Sequence, residues 1–374
     1  MTLGDTIIPR TTGATSGRDT GWLDRQARAI VERRLRTMAG GGVFLIDRFG
    51  ESSAERWVDF DAGATRPARA EMIVHDPRLY RRLVLGGSLA AAEGYIQGQW
   101  SSPDLTTLLR HFVRGIAHTR HTQPGTGSRW IPLARLWHGL RRNTLGGSRR
   151  NIHAHYDLGN EFFGLFLDPT MSYSCAIFDG PNMTLEQASV AKLDRVCRKL
   201  EMKSSDHLLE IGTGWGGLAI HAARRFGCRV TTTTISDAQH TFATGRIAEA
   251  GLQHRIDVKR ADYRQLTGQF DKLVSIEMVE AVGHRYLDGY FEKCASLLKP
   301  DGMMLLQGIT MNEQRYEQYR RSVDFIQRYV FPGSCCPSLG AMVRSIGRST
   351  DLRVFDVEDI GPHYATTLRR WREA

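Results

Sequence analysis

The stretch LLEIGTGWGG, residues 208–217, runs an apolar, strand-like segment into a glycine-rich turn. Glycines at 212, 214 and 217 fit G-x-G-x-x-G, in which missing side chains let the backbone approach a ligand closely. A nicotinamide-dinucleotide site of this kind also carries an acid about twenty residues after the first glycine, where it binds the ribose. Here that region reads TTTTIS, residues 231–236, and offers none.

An acid does stand two residues before the first glycine, at Glu210. That arrangement points to S-adenosylmethionine instead. Outward from the turn, CRVTTTTIS, FDKLVSIEMVEAVG and GMMLLQGIT read as further strands separated by helical stretches. Alternation with short connections implies an open, mostly parallel sheet with helices on both faces. Ligands bind such sheets at the carboxyl ends of the strands, so Gly212, Ser236, Glu277 to Glu280 and Gln307 are expected near one another.

At 374 residues, two domains are expected. Residues 1–20, rich in Thr, Gly and Arg, are expected to be disordered. Residues 21–117 read as a small α+β unit: a helix over 22–38, two short strands in GVFLIDRFG and RWVDFDAG, and two helical segments. The second of these segments opens with Ser102 before Pro103 as its start signal. Residues 118–150 form a polar linker and then a basic segment in which Trp130, Leu133, Trp137 and Leu140 fall at helical spacing among arginines. Such a segment suits a membrane interface, and equally a helix packed on its own protein. Residues 151–374 hold the sheet.

The formal charge of +10 asks for an anionic partner, and the chain offers no nucleic-acid module. No apolar run is long enough to cross a bilayer and the first residues form no signal core, so a cytoplasmic protein is expected. Six cysteines without C-x-x-C spacing read as reduced thiols, and no metal site is expected, His153 and His155 included.

Several motifs together resemble the cyclopropane-fatty-acyl-phospholipid synthase family, which includes the mycolic acid cyclopropane synthases. They are HYDLGNEFFGLFLDPTMSYSCAIF, LLEIGTGWGGLAIHAA, TTTTISDAQ, SIEMVEAVGHRYLDGYFEKCASLLKPDG, DFIQRYVFPG and GPHYATTL, in that order. VHDPRLYRRLVLGGSLAAAEGYIQGQW is similar to the family's smaller lipid-associated domain. The resemblance implies a Rossmann-like class I methyltransferase domain preceded by that α+β domain. The implied reaction passes a methyl group from S-adenosylmethionine to the cis double bond of an unsaturated phospholipid acyl chain, followed by proton loss and ring closure. The implied setting is the inner face of an anionic membrane, with a homodimer as a further expectation.

The resemblance also implies a bound bicarbonate as proton acceptor, surrounded by Glu280, Tyr364 and backbone groups beside Cys175 and Ile309. The family's His is replaced by Gln307, which hydrogen-bonds through its amide but does not share a proton as imidazole does. Proton removal is then expected to slow or to yield methylene or methyl-branched chains. Tyr173 and Ser174 are implied at the methionine end of the cofactor, Gly212 and Gly214 beneath it, Thr234 and Gln239 at the ribose, and Tyr263 at the adenine. Glu277 reads as a capping or surface acid and takes no role. The chain also lacks the helices that follow the Tyr motif in the family, which leaves a second expectation: a catalytically impaired cofactor- and lipid-binding homologue acting through an active partner.

Overall fold

The computed structural model describes residues 21–36, 42–49, 54–59, 70–119 and 159–374. The chain divides between residues 133 and 134 into two compact units. The basic Trp-bearing segment, His153 and His155, and the N-terminal 20 residues lie outside the described residues.

In the first unit the elements are α1 (Trp22–Arg36), β1 (Gly42–Asp47), β2 (Ala54–Asp59), β3 (Ala70–Val74), α2 (Arg78–Ile96), β4 (Trp100–Ser101) and α3 (Leu105–Thr119). The strands form one sheet in the order β2-β1-β3-β4, with β1 antiparallel to β2 and parallel to β3. Val43, Leu45, Val74, Leu79, Tyr80, Trp100 and Leu108 form its core. Tyr80 is wholly buried, and its hydroxyl finds the Asp47 carboxylate at 2.6 Å, as a buried polar group requires. The start of α3 corrects the sequence reading. Asp104, not Ser102, caps it, accepting the Thr107 amide at 3.0 Å, because the helix begins at Leu105 and Ser102 stands two residues before the N-cap position.

The second unit runs α4 (Gly159–Gly164), α5 (Leu185–Lys199), β5 (His207–Ile211), α6 (Gly217–Phe226), β6 (Arg229–Thr234), α7 (Asp237–Glu249), β7 (Ile256–Arg260), β8 (Phe270–Ile276), α8 (Leu287–Ser296), β9 (Leu298–Gln307), α9 (Glu313–Tyr319), α10 (Leu339–Ser349) and α11 (Gly361–Glu373). Five strands pair in the order β7-β6-β5-β8-β9, every pair parallel. Leu208, Val230 and Val274 pack with α5 and α6 on one side, and Leu209, Ile211 and Leu273 with α8 and α10 on the other. Burial on both faces suits the apolar residues of β5 and β8, while β6 buries the threonines 231–234. Strand β7, with only Ile256 fully buried, carries no apolar run and escaped the sequence reading.

Candidate active site

The strand order reverses between β5 and β8, the switch point at which open α/β sheets hold their ligands. A pocket opens there at the carboxyl ends, and Tyr173, Ser174, Glu210, Gly212, Gly214, Thr234, Gln239 and Tyr263 all line it. The structure thus brings together every residue assigned to the cofactor.

Gly212 and Gly214 have φ of 106° and 53°, conformations that a side chain disfavours. A Cβ on Gly214 would meet no protein atom within 4 Å, which leaves the backbone bare toward the pocket. Gly217 has a different reason. Its Cβ would stand 2.6 Å from the Thr170 carbonyl, so it permits close packing of α6 against the loop before α5. Arg246 holds the same loop, donating to the carbonyls of Pro169, Thr170 and Trp215.

Glu210 is buried and receives the Thr232 hydroxyl at 2.6 Å; burial pushes its carboxyl up to about 8. Thr234 donates to the Gln239 side chain at 2.9 Å and accepts the Ser236 amide, which fixes the pocket floor beyond β6. Tyr263 packs edge-on against buried Tyr290, and its phenol is pushed up to about 12, mainly by burial. These groups fit S-adenosylmethionine: bare backbone beneath it, an acid for its ammonium, and aromatic surface for its base.

The second cluster centres on Glu277. Its Oε1 accepts the Cys175 amide at 2.8 Å and the Gln307 side-chain amide at 3.0 Å, and its Oε2 accepts the Tyr364 hydroxyl at 3.2 Å. Burial raises the carboxyl above its ordinary range, against the opposing pull of those donors and the nearby charge of Lys192. The backbone at Glu277 is left-handed, with φ of 47°, and its amide bonds to the Gln307 carbonyl at 2.7 Å. A strained backbone of this kind persists only where its surroundings fix it, and such positions gather at functional sites.

Cys175, Gln307 and Tyr364, assigned around a bicarbonate, therefore converge on a carboxylate of the chain itself. Ile309 does not join them: its amide bonds to Glu280 Oε1. Glu280 sits on the short turn Val279–Ala281, its carboxyl pushed up to about 8, first by burial and then by Glu277. Its Oε2 is buried with no hydrogen-bond partner among the described residues.

Helix α11 closes this cluster. Thr367 accepts the Ala176 amide at 3.1 Å and His363 accepts the Phe178 amide at 3.3 Å, which clamps the helix to the loop bearing Cys175. Trp371, one turn pair beyond Tyr364, lies 5.2 Å from the Tyr173 ring and 6.0 Å from Phe166. An aromatic wall thus stands beside the carboxylate. Sequence reasoning missed Glu277, Lys192 and Trp371. The one local signal was the acid pair at 277 and 280, which a helix surface produces just as readily.

Comparison with known proteins gives the family. The family described as mycolic acid cyclopropane synthetase matches residues 145–374. The chain belongs to this family. Tuberculostearic acid methyltransferase UfaA1 of Mycobacterium tuberculosis is 38% identical over 83% of this chain and 74% of its own length. The cyclopropane-fatty-acyl-phospholipid synthase of Escherichia coli is 36% identical over 82% of this chain and 76% of its own. A probable fatty acid methyltransferase of Pseudomonas putida is 41% identical over 59% of this chain, a match that spans 57% of that relative. Among solved structures, the mycolic acid cyclopropane synthase CmaA1 complexed with SAH and CTAB superposes with a TM-score of 0.57 at 33% identity, over 60% of this chain and 82% of that one. The family places the chain among S-adenosylmethionine-dependent methyltransferases with a Rossmann-like fold, as the sequence reading expected. Among the described residues no helix is long and apolar enough to cross a membrane.

Proposed function

We propose that this chain methylates the cis double bond of an unsaturated phospholipid acyl chain and that the Glu277 carboxylate takes the proton that ends the reaction. The observation that carries this reading is the set of donors on Glu277: the Cys175 amide, Gln307 and Tyr364 already hold an anion, the chain's own. As arranged here they do not fit an added bicarbonate, since their hydrogen bonds are spent on Glu277.

S-adenosylmethionine, when bound, supplies a methyl group activated by its sulfonium. That methyl group would pass to the alkene π pair, the sulfur keeping the electrons of the carbon–sulfur bond, and the acyl chain would then carry a carbocation-like centre. Tyr173, Tyr364 and Trp371 present π faces and Glu277 a negative charge to that centre. Loss of one proton to Glu277 then leaves a chain enlarged by one CH2 unit, closed as a cyclopropane or left as a methylene branch. Both products balance, because a methyl cation enters and a proton departs.

An anionic bilayer fits as the source of the acyl chain. Phe325, Ile326 and Tyr329 are exposed on one short segment, with Arg328 over the Tyr329 ring, and apolar side chains interleaved with Arg suit the headgroup boundary. The test is incubation of purified protein with methyl-labelled S-adenosylmethionine and vesicles of anionic monounsaturated phospholipid, followed by mass spectrometry and proton NMR of the fatty acids. Label in a cyclopropane or methylene chain supports the reading and identifies the isomer. Cofactor binding without label in lipid would overturn it in favour of an impaired homologue.

A further inference from the structure

Lys192, on α5, lines the same pocket and is 2% exposed. Its Nζ donates to the Ser174 hydroxyl at 2.9 Å, and among the described residues it makes no ion pair. An ammonium has three donors, and burying it away from water without a carboxylate partner is strongly unfavourable unless an anion completes the site. Glu277, the nearest acid in electrostatic effect, has both of its oxygens engaged by Cys175, Gln307 and Tyr364. The other cation lining the pocket, Arg264, is spent on Asp262 at the opposite end.

Resting on the cofactor reading above, we infer that Lys192 binds the carboxylate of the methionine portion of S-adenosylmethionine, with Ser174 as its second donor. The reacting methyl group must face Glu277 and Tyr364, so the sulfonium lies at this end of the pocket and the adenine at Tyr263. The amino-acid arm, joined to the sulfonium, then runs past Glu210 and Lys192. These supply an acid for its ammonium and a cation for its carboxylate. In the absence of the cofactor, burial lowers the lysine's proton affinity while Glu277 and Asp168 raise it. A bound carboxylate restores the balance that burial disturbs.

The experiment is calorimetric titration of the intact chain with S-adenosylmethionine and with its decarboxylated analogue, which keeps the sulfonium, the ammonium and the adenosine. The parent protein is expected to prefer the carboxylate-bearing ligand by roughly ten- to a hundred-fold, the range for a charge-assisted hydrogen bond. In Lys192→Met, close in volume, that preference should collapse while affinity for the decarboxylated analogue stays within about two-fold. A variant that weakens both ligands equally, or neither, overturns the assignment. So does a parent protein that binds both ligands alike, a result that needs no variant to fold. Failure of the parent to bind either ligand would instead remove the cofactor reading itself.

Discussion

The hydroxyl of Tyr364 and the carboxylate of Glu277 meet at 3.2 Å across 87 residues of sequence. The contact ties the last helix to the turn after β8 and places a phenol donor on a carboxylate that also holds the Cys175 amide and Gln307. Burial pushes the Tyr364 phenol well above its usual range, and the Glu277 charge adds to that shift, so the phenol stays protonated and donates. On the proposed mechanism the proton acceptor is built into the fold.

Replacing Glu277 tests that statement directly. Glu277→Gln is expected to lower kcat by roughly 10²- to 10⁴-fold, the usual contribution of a general base, with cofactor affinity within about three-fold. Glu277→Gly suits the left-handed backbone at this position and relieves strain of roughly 1–2 kcal/mol. It also frees the Cys175 amide and Tyr364 hydroxyl, so added bicarbonate should restore turnover in a saturable manner. Unimpaired turnover by Glu277→Gln would remove this residue from the proton step.

Gln307 lowers the proton affinity of Glu277, which burial raises. Its amide stabilises the ionised carboxylate against the effect of burial, and Gln307→Leu removes that donor. The base must be ionised to work, so the variant's kcat should rise with pH later than the parent's. A pH–rate profile on vesicle substrate reads the shift; coincident profiles count against the role.

Glu280 and Glu210 link stability to pH. Each has a folded-state carboxyl pushed up to about 8, above the unfolded value of about 4.5, so the folded chain holds protons that the unfolded chain releases. Their contribution makes stability fall as pH rises from about 4.5 to about 8. Glu280→Gln removes one of these groups and keeps an oxygen for the Ile309 amide. Relative to the parent, the variant should gain stability across that window, on the order of a few kcal/mol at its upper end. Urea unfolding at pH 5 and pH 8.5 checks the sign, and a difference independent of pH would contradict it.

Trp371 is expected to act on lipid turnover and not on cofactor binding. Its ring contacts Tyr173 and Tyr364, on the side of the site where the acyl chain becomes cationic. Trp371→Ala should lower kcat on vesicles by roughly three- to thirty-fold, the range of a partly desolvated cation–π contact. Titration with S-adenosylmethionine provides the control, and an equal loss in both measurements would assign Trp371 to packing alone.

The sequence by itself determined the strand, turn and helix around residues 208–217, the alternation of strands and helices, and Glu210, Gly212 and Gly214 as the cofactor end of the sheet, while family resemblance supplied Tyr173, Ser174, Thr234, Gln239 and Tyr263. The former rest on local chemistry: glycine conformations, the spacing of apolar residues and an acid at a fixed offset from the turn. Family resemblance added Cys175, Gln307 and Tyr364 as neighbours of one anion. That these three close on the Glu277 carboxylate, only the tertiary structure decided. Glu277 takes its donors from a loop 102 residues earlier, a strand end 30 residues later and a helix 87 residues later. Lys192 shows the same limit, since an exposed helical lysine and a buried one are written identically in sequence. Burial and the choice of hydrogen-bond partner follow from which distant surfaces pack together, and no local spacing encodes them.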